Sequence, residues 1–224
     1  MNSIYSIFAF LLGLIFGSFF NVVILRLPKG ESLSSEPSHC VHCGHQLGFF
    51  DLFPVFSYLF LGGKCRYCKA KISPRYPLVE LCTATFFALV VYTYGYSFES
   101  LIGLFFISIL VIIAVMDIDT MEILDRFQIL ILILALANLT ITHLSFYNHV
   151  IAFFIISVPF FLIAHFYGGM GGGDVKLVAV SGLLLGIQRT LIAFFIASLS
   201  GGIVAIYLLI TKQKDRHLAN AFCP

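Results

Sequence analysis

Charged residues are scarce in this sequence. Asp, Glu, Lys and Arg make up 11% of its 224 residues, whereas a soluble domain usually carries about 25%. Hydrophobic residues make up 60%, and the mean hydropathy is +1.02. With so few charges to cover a water-exposed surface, the composition argues strongly against an ordinary soluble fold. The formal net charge of +2 gives no sign of a nucleic-acid partner, and we expect none.

The sequence also lacks a basic segment ahead of its first apolar run. Residues 4–25 are apolar apart from Ser6, Ser18 and Asn21, and the basic residues follow this run instead of preceding it. A cleaved signal peptide has the opposite order. The run therefore predicts a first transmembrane helix, which needs about 20 apolar residues. No internal repeat or low-complexity segment is present.

Apolar segments recur through the rest of the chain. They lie at about 77–95, 99–116, 127–143, 149–167, 175–188 and 190–210. Together with the first run they predict an all-α polytopic membrane protein with about seven transmembrane helices, embedded in a lipid bilayer. Segment 175–188 is the shortest of the seven.

Residues 26–76 form the one polar block, with seven Lys or Arg and four prolines. Positive charges concentrate in cytoplasmic loops, so a cytoplasmic block places the N-terminus outside. The cytoplasmic connections then hold twelve of the 13 Lys and Arg, all except Arg189. The predicted organisation is a first helix at 1–25, a cytoplasmic insertion at 26–76, a transmembrane bundle at 77–210 and a cytoplasmic tail at 211–224.

Two C-x-x-C pairs lie in this polar block and contain Cys40, Cys43, Cys65 and Cys68. Their spacing is typical of a tetrahedral four-cysteine zinc site, which would fold a small polar insertion that cannot build its own core. A redox or incidental role is the alternative. Nearby histidines that could replace a cysteine are His39, His42 and His45. The remaining cysteines, Cys82 and Cys223, are interpreted as packing or incidental residues.

Two aspartates, Asp117 and Asp174, are predicted to lie at the cytoplasmic ends of apolar segments. Ionisable groups at such positions are costly and often functional. Two carboxyl groups sharing one proton can activate a water molecule and protonate a carbonyl oxygen, as aspartic proteases do. Acidic residues at helix ends also commonly cap the helix or face water, and Asp119, Glu122 and Asp125 are mostly interpreted that way, although Asp125 could position its neighbours.

A glycine cluster precedes the second aspartate and consists of Gly168, Gly169, Gly171, Gly172 and Gly173. Glycine tolerates positive φ and lets another backbone approach closely. We therefore expect these residues to support an extended substrate beside Asp174. By itself, such a run is also compatible with a flexible turn.

Four blocks of the sequence resemble the type IV prepilin peptidases, which are membrane aspartyl proteases of the G-x-G-D type. The blocks are GLIFGSFFNVVILRLP at 13–28, CRYCKAKISPRYPLVE at 65–80, MDIDTMEILD at 116–125 and GGMGGGDVKL at 168–177. The resemblance implies that Asp117 and Asp174 are the catalytic pair and that Lys176 occupies a basic position common after the second aspartate.

The resemblance also implies a function. The chain would remove basic leaders from type IV prepilins or pseudopilins at the cytoplasmic face of a bacterial inner membrane, cutting after Gly and before a hydrophobic residue. It would also methylate the new N-terminus with S-adenosylmethionine, although the sequence contains no Rossmann glycine fingerprint.

The sequence departs from the family pattern at two places. Leu124 precedes Asp125 where the family usually has Pro. Residues 221–224 resemble the start of a P-F-G-P block, with Ala221 and Cys223 in place of Pro and Gly. The family has a further membrane helix after that block, so the resemblance implies a truncated sequence or a reduced version of the enzyme.

Three other classes of protein share part of this pattern. Another G-x-G-D intramembrane protease would share the aspartates but lack the cysteine domain. A transporter or channel could use the aspartates as a proton or cation relay. A non-enzymatic membrane adaptor with a zinc knuckle would need neither aspartate.

Overall fold

The computed structural model describes residues 2–33, 37–141, 145–167 and 171–210. These described residues form eight helices and no named strand. The helices are α1 (Asn2–Arg26), α2 (Phe56–Phe60), α3 (Arg75–Tyr94), α4 (Phe98–Thr120), α5 (Asp125–Ile141), α6 (Phe146–Tyr167), α7 (Gly172–Leu185) and α8 (Ile187–Ile210). The all-α prediction is therefore confirmed. The expected tail at 211–224, with Cys223, lies outside the described residues, as do Gly168 and Gly169.

Each of the seven apolar segments forms a helix close to its predicted bounds. Five of these helices, α1, α3, α4, α6 and α8, are long and apolar enough to cross a membrane. The other two are shorter, with 17 residues in α5 and 14 in α7, and a straight helix of that length spans about 21 to 26 Å. The short α2 in the polar block was not predicted.

The chain divides into two compact units, Met1–Thr120 and Met121–Pro224. In the first unit, α1 packs closely on α3 through two glycines one helical turn apart. A Cβ atom on Gly13 would lie 2.5 Å from Ala84 Cα, and one on Gly17 would lie 2.6 Å from Glu80 Cα. Small residues at this spacing let membrane helices approach backbone to backbone. This contact is the tight seam of the unit.

Polar bonds fix the ends of the same helix pair. Asn21 Nδ2 of α1 donates to the Tyr76 carbonyl at 3.1 Å. The Val55 N–H of the polar block donates to Glu80 Oε2 of α3 at 2.7 Å, and Glu80 is 7% exposed. A buried carboxylate needs such a donor, so this bond ties the polar block to the membrane helices.

In the second unit, α7 contacts α5, α6 and α8. A Cβ atom on Gly182 would clash with the Ala152 carbonyl of α6, so α7 and α6 also meet backbone to backbone. The buried ring of His149 is bonded through Nδ1 to the Leu183 carbonyl at 2.8 Å. The short α7 is therefore held among its three neighbours, which fixes the position of its first turn.

Candidate functional site

Asp117 and Asp119 both lie in the last turns of α4 and have exposed side chains. Asp119 forms a two-pronged ion pair with Arg75 at the start of α3, with Nη2–Oδ2 at 2.6 Å and Nη1–Oδ1 at 2.7 Å. Among the described residues, no side chain forms a salt bridge with Asp117. The pairing of Asp119 agrees with its interpretation as a structural helix-end acid.

Asp174 lies in the first turn of α7, half-buried, where its N–H donates to the Gly171 carbonyl at 3.1 Å. Gly171 precedes the helix with extended backbone at φ −67° and ψ 139°, and Gly172 and Gly173 already belong to α7. The expected positive φ is therefore absent from these three glycines. A Cβ atom on Gly172 would meet nothing within 4 Å, so open space remains beside the first turn.

Two side chains of α5 contact the start of α7. Lys176 Nζ bonds Asp125 Oδ1 at 2.8 Å between two exposed side chains. Gln128, 4% exposed, donates from Nε2 to the Gly173 carbonyl at 2.9 Å. The sequence indicated Asp125 as a positioning residue but missed Gln128, although a lone amide in an apolar helix was a usable signal. Both contacts fix the turn that carries Asp174.

The four paired cysteines come together. Their sulfur atoms all lie within 4.8 Å of one another, and Cys40 Sγ is 3.9 Å from Cys68 Sγ. A tetrahedral ion with metal–sulfur bonds of about 2.3 Å sets its sulfurs about 3.8 Å apart. The cluster therefore fits a metal ion, and this grouping of cysteines is as the sequence predicted. His45 instead lies on the ring of Tyr67, with centroids 3.6 Å apart.

The two cysteine pairs sit on matching turns. In each turn the N–H of the first cysteine donates to the carbonyl five residues ahead, and its own carbonyl accepts from the N–H four residues ahead. The four bonds are 2.8 to 3.0 Å long: Cys40 N to His45 O, Gly44 N to Cys40 O, Cys65 N to Ala70 O and Lys69 N to Cys65 O. The residue after the second cysteine has positive φ in both, 69° at Gly44 and 60° at Lys69. A lysine in this conformation is uncommon, so the turn geometry is held by its surroundings.

The thiols of the cluster have divergent acidities. Hydrogen bonds from the backbone of Cys43 and His42 lower the pKa of Cys40 to about 6. The backbone of Ala70 alone would lower the pKa of Cys68, but burial and hydrogen bonds with the other thiols raise it to about 11. Four thiolates this close repel one another unless a cation lies between them, as expected of a metal site.

The polar block also contains an aromatic groove. Phe49, Phe53 and Phe60 line it, together with Asp51, Arg66 and Tyr67. Asp51 Oδ1 accepts from Arg66 Nε at 2.6 Å, and Oδ2 accepts from Tyr67 Oη at 3.3 Å and from the Gly48 N–H at 3.2 Å. Burial alone would raise the pKa of Asp51, but these bonds outweigh it and lower the pKa. No pattern in the sequence indicates this network.

Comparison with known proteins identifies relatives along nearly the whole chain. The bacterial peptidase A24 N-terminal domain matches residues 11–94, and the type IV leader peptidase family matches residues 104–206. No solved structure gives a significant match.

Several curated relatives carry the name prepilin leader peptidase/N-methyltransferase. The protein from Bacillus subtilis (strain 168) is 37% identical over 96% of this chain and 88% of its own length. That from Neisseria gonorrhoeae is 33% identical, over 94% and 84%. That from Pseudomonas aeruginosa is 32% identical, over 96% and 84%.

Proposed function

This chain belongs to the type IV leader peptidase family, and from that premise we propose that it is a membrane aspartyl endopeptidase. Its substrates are type IV prepilins or pseudopilins, whose leaders it removes at the cytoplasmic face of the bacterial inner membrane. One observation carries the proposal: the match to the type IV leader peptidase family runs over residues 104–206 and includes both Asp117 and Asp174.

Peptide hydrolysis requires one carboxylate to take a proton from water and one carboxylic acid to protonate the carbonyl oxygen. We assign these carboxyl groups to Asp117 and Asp174. The pair titrates as a unit, so neither residue is given a fixed acid or base role. The ion pair that occupies Asp119 supports the choice of Asp117 within the first block.

Supporting roles fall to the residues around the first turn of α7. Lys176, bonded to Asp125, holds the turn against α5 from its exposed side. The open space beside Gly172 suits an extended peptide passing close to the backbone, with Gly171 and Gly173 on either side. None of these residues is assigned a proton-transfer step.

We further propose that the N-terminus lies outside and residues 26–76 lie in the cytosol. The distribution of Lys and Arg supports this orientation. Reduced thiols are then available, and the geometry of the four cysteines fits zinc, held as a closed structural site by Cys40, Cys43, Cys65 and Cys68. Such an ion would stabilise the insertion and has no open position for substrate.

Methylation of the new N-terminus is the second activity that we propose, supported by the names of the relatives. S-adenosylmethionine would supply the methyl group. In the aromatic groove, the Asp51 carboxylate already accepts from three donors of the protein. No residue is therefore assigned to binding S-adenosylmethionine.

The test is co-expression of the full chain with a tagged, membrane-inserted prepilin. Leader loss is measured by gel shift, and the mass of the new N-terminus shows whether a methyl group was added. The wild type should cut, whereas Asp117→Asn and Asp174→Asn should be slower by about 10²- to 10⁴-fold, the usual contribution of acid–base catalysis.

Asp119→Asn is the matched control, because it removes a neighbouring carboxylate of the same turn. This variant should cut at close to the wild-type rate. Normal cleavage by either Asp117→Asn or Asp174→Asn would contradict the assignment of the pair. An intact prepilin with the wild type would favour the adaptor or the transporter.

A further inference from the structure

The polar block carries a large exposed apolar surface that no step of the proposed reaction uses. We call it the aromatic patch, and its residues are Phe49, Phe50, Phe53, Phe56, Leu59 and Phe60. Their exposed fractions range from 44% at Phe56 to 87% at Phe60. Soluble surfaces seldom expose contiguous apolar groups of this size unless a partner or a membrane covers them.

The attachment of this patch to α3 sets its level relative to the bilayer. Val55, between Phe53 and Phe56, bonds Glu80. Glu80 lies five residues inside the span that begins at Arg75, which is about 7.5 Å along the helix axis. The 20-residue span is about as long as the hydrocarbon core is thick, roughly 30 Å, so the patch is attached to α3 near the end of its span, close to the boundary between acyl chains and headgroups.

The backbone at the attachment point is unusual. Val55 has φ 61° and ψ −50°, which is a strained conformation for a β-branched residue. Such strain persists only where the surroundings over-determine it. The bond to Glu80 supplies that constraint at the residue directly before α2.

The charge of the surrounding block complements lipid headgroups. Residues 26–76 contain seven Lys or Arg against three Asp or Glu, and Lys64, Lys69 and Lys71 follow the patch directly. Basic residues beside exposed aromatic rings are the pattern of surfaces that enter the interface of anionic membranes.

We propose that the aromatic patch inserts into the interfacial layer of the bilayer, on the side where α1 ends and α3 begins. The phenyl rings enter the boundary between headgroups and acyl chains, and the lysines and arginines stay among the phosphates. The insertion is then held at the membrane surface in two ways, through the flanking helices α1 and α3 and through the aromatic patch. The proposal concerns lipid and stands whether or not the chain is a peptidase.

The chain contains no tryptophan, so a single Phe→Trp substitution gives a unique fluorescent probe. The full chain carrying Phe60→Trp is reconstituted into vesicles of phosphatidylcholine and phosphatidylglycerol. Quenching is measured with lipids brominated near the top of the acyl chain and, separately, with aqueous iodide. The aqueous control is Val41→Trp, at a position 82% exposed in the first cysteine turn, and the bilayer control is Phe105→Trp in α4.

The expected result is strong quenching of Phe60→Trp by the brominated lipid, with iodide quenching reduced several-fold relative to Val41→Trp. Phe50→Trp, at the other end of the patch, should behave in the same way. Iodide quenching equal to that of Val41→Trp would overturn the proposal. Protection from both quenchers would overturn it as well, because protein and not lipid would then cover the patch.

Discussion

Three carboxylates outside the proposed catalytic pair each form an ion pair with a different basic residue. Asp119 is paired with Arg75, Asp125 with Lys176 and Asp51 with Arg66. The Arg75–Asp119 and Lys176–Asp125 pairs are accessible to solvent, and surface pairs of this kind contribute little to stability, about 0 to 1 kcal/mol, whereas the Asp51 side chain is 7% exposed. The Lys176–Asp125 pair acts instead on position, because it joins α5 to the start of α7, where Asp174 lies.

The buried amide of Gln128 leads to a first prediction. Replacing it by Leu keeps the approximate volume but removes the bond to Gly173, which loosens the turn that carries Asp174. A lost hydrogen bond of about 1 kcal/mol or more corresponds to a fall in cleavage rate of roughly five- to tenfold. The measurement is the rate of prepilin cleavage.

Thr140→Val is the matched control for that substitution. Thr140 lies near the other end of α5 and bonds only carbonyls of its own helix, so the variant should cut normally. Equal rates for Gln128→Leu and the wild type would show that the bond does not position the turn.

Asp51 leads to a prediction about pH. Its hydrogen bonds lower its pKa in the folded protein, so its contribution to stability is present above the unfolded pKa of about 3.9 and is lost as the pH falls through the folded value. Asp51→Asn should therefore have a lower Tm than the wild type at pH 7, and the gap should close below about pH 4. A gap that persists in acid would contradict this account.

For single residues, the sequence predicted the metal-binding cysteines but not the long-range hydrogen bonds. The spacing of the C-x-x-C pairs was sufficient to predict that four thiols meet, because a metal site constrains spacing strongly. The bond of Glu80 to Val55 and that of Gln128 to Gly173 join residues far apart in the chain. Nothing in the local pattern specifies such partners, since they follow from how the helices pack.

For the helices, hydropathy predicted where each one lies along the chain but not the residues at which it begins and ends. All seven apolar segments became helices because an uninterrupted apolar run satisfies its backbone only as a helix in lipid. The short α5 and α7 follow the same rule, but α7 ends at Leu185, directly before Gly186, and α5 begins at Asp125. The five-residue α2 has too little periodicity to be found from sequence.

The glycine seam of α1 and α3 gives a prediction at the level of the helix pair. Gly17→Ala would place its Cβ 2.6 Å from the Glu80 backbone, so the helices must separate, at a cost of about 1 to 3 kcal/mol. Gly201→Ala in α8 is the control, because a Cβ there meets nothing within 4 Å. Thermal unfolding in detergent should show a lower Tm for Gly17→Ala alone, and equal Tm values would contradict the seam.

For the whole molecule, we expect that substituting a cysteine of the cluster removes the metal but leaves the membrane helices folded. Cys65→Ser removes the most buried of the four thiols, 3% exposed, and should abolish zinc binding, measured as metal per purified chain. Helical content by circular dichroism should change little, because the transmembrane helices hold most of the helical residues.

Cys82→Ser is the control for the metal measurement, because Cys82 is an exposed thiol of α3 outside the cluster. This variant should retain the wild-type amount of zinc. If Cys65→Ser retained it too, the four-cysteine assignment would be wrong.

The contact of α1 with α3 has a consequence for how the protein assembles. The two helices are neighbours in the membrane although residues 27–74 separate them along the chain, so their pairing must close a long loop. A metal ion that joins Cys40 and Cys43 to Cys65 and Cys68 shortens the free chain in that loop and reduces the entropy lost on closure. Metal capture during synthesis would therefore speed the meeting of the first two spans, and in zinc-starved cells newly made chains would remain longer as unpaired helices exposed to membrane proteases.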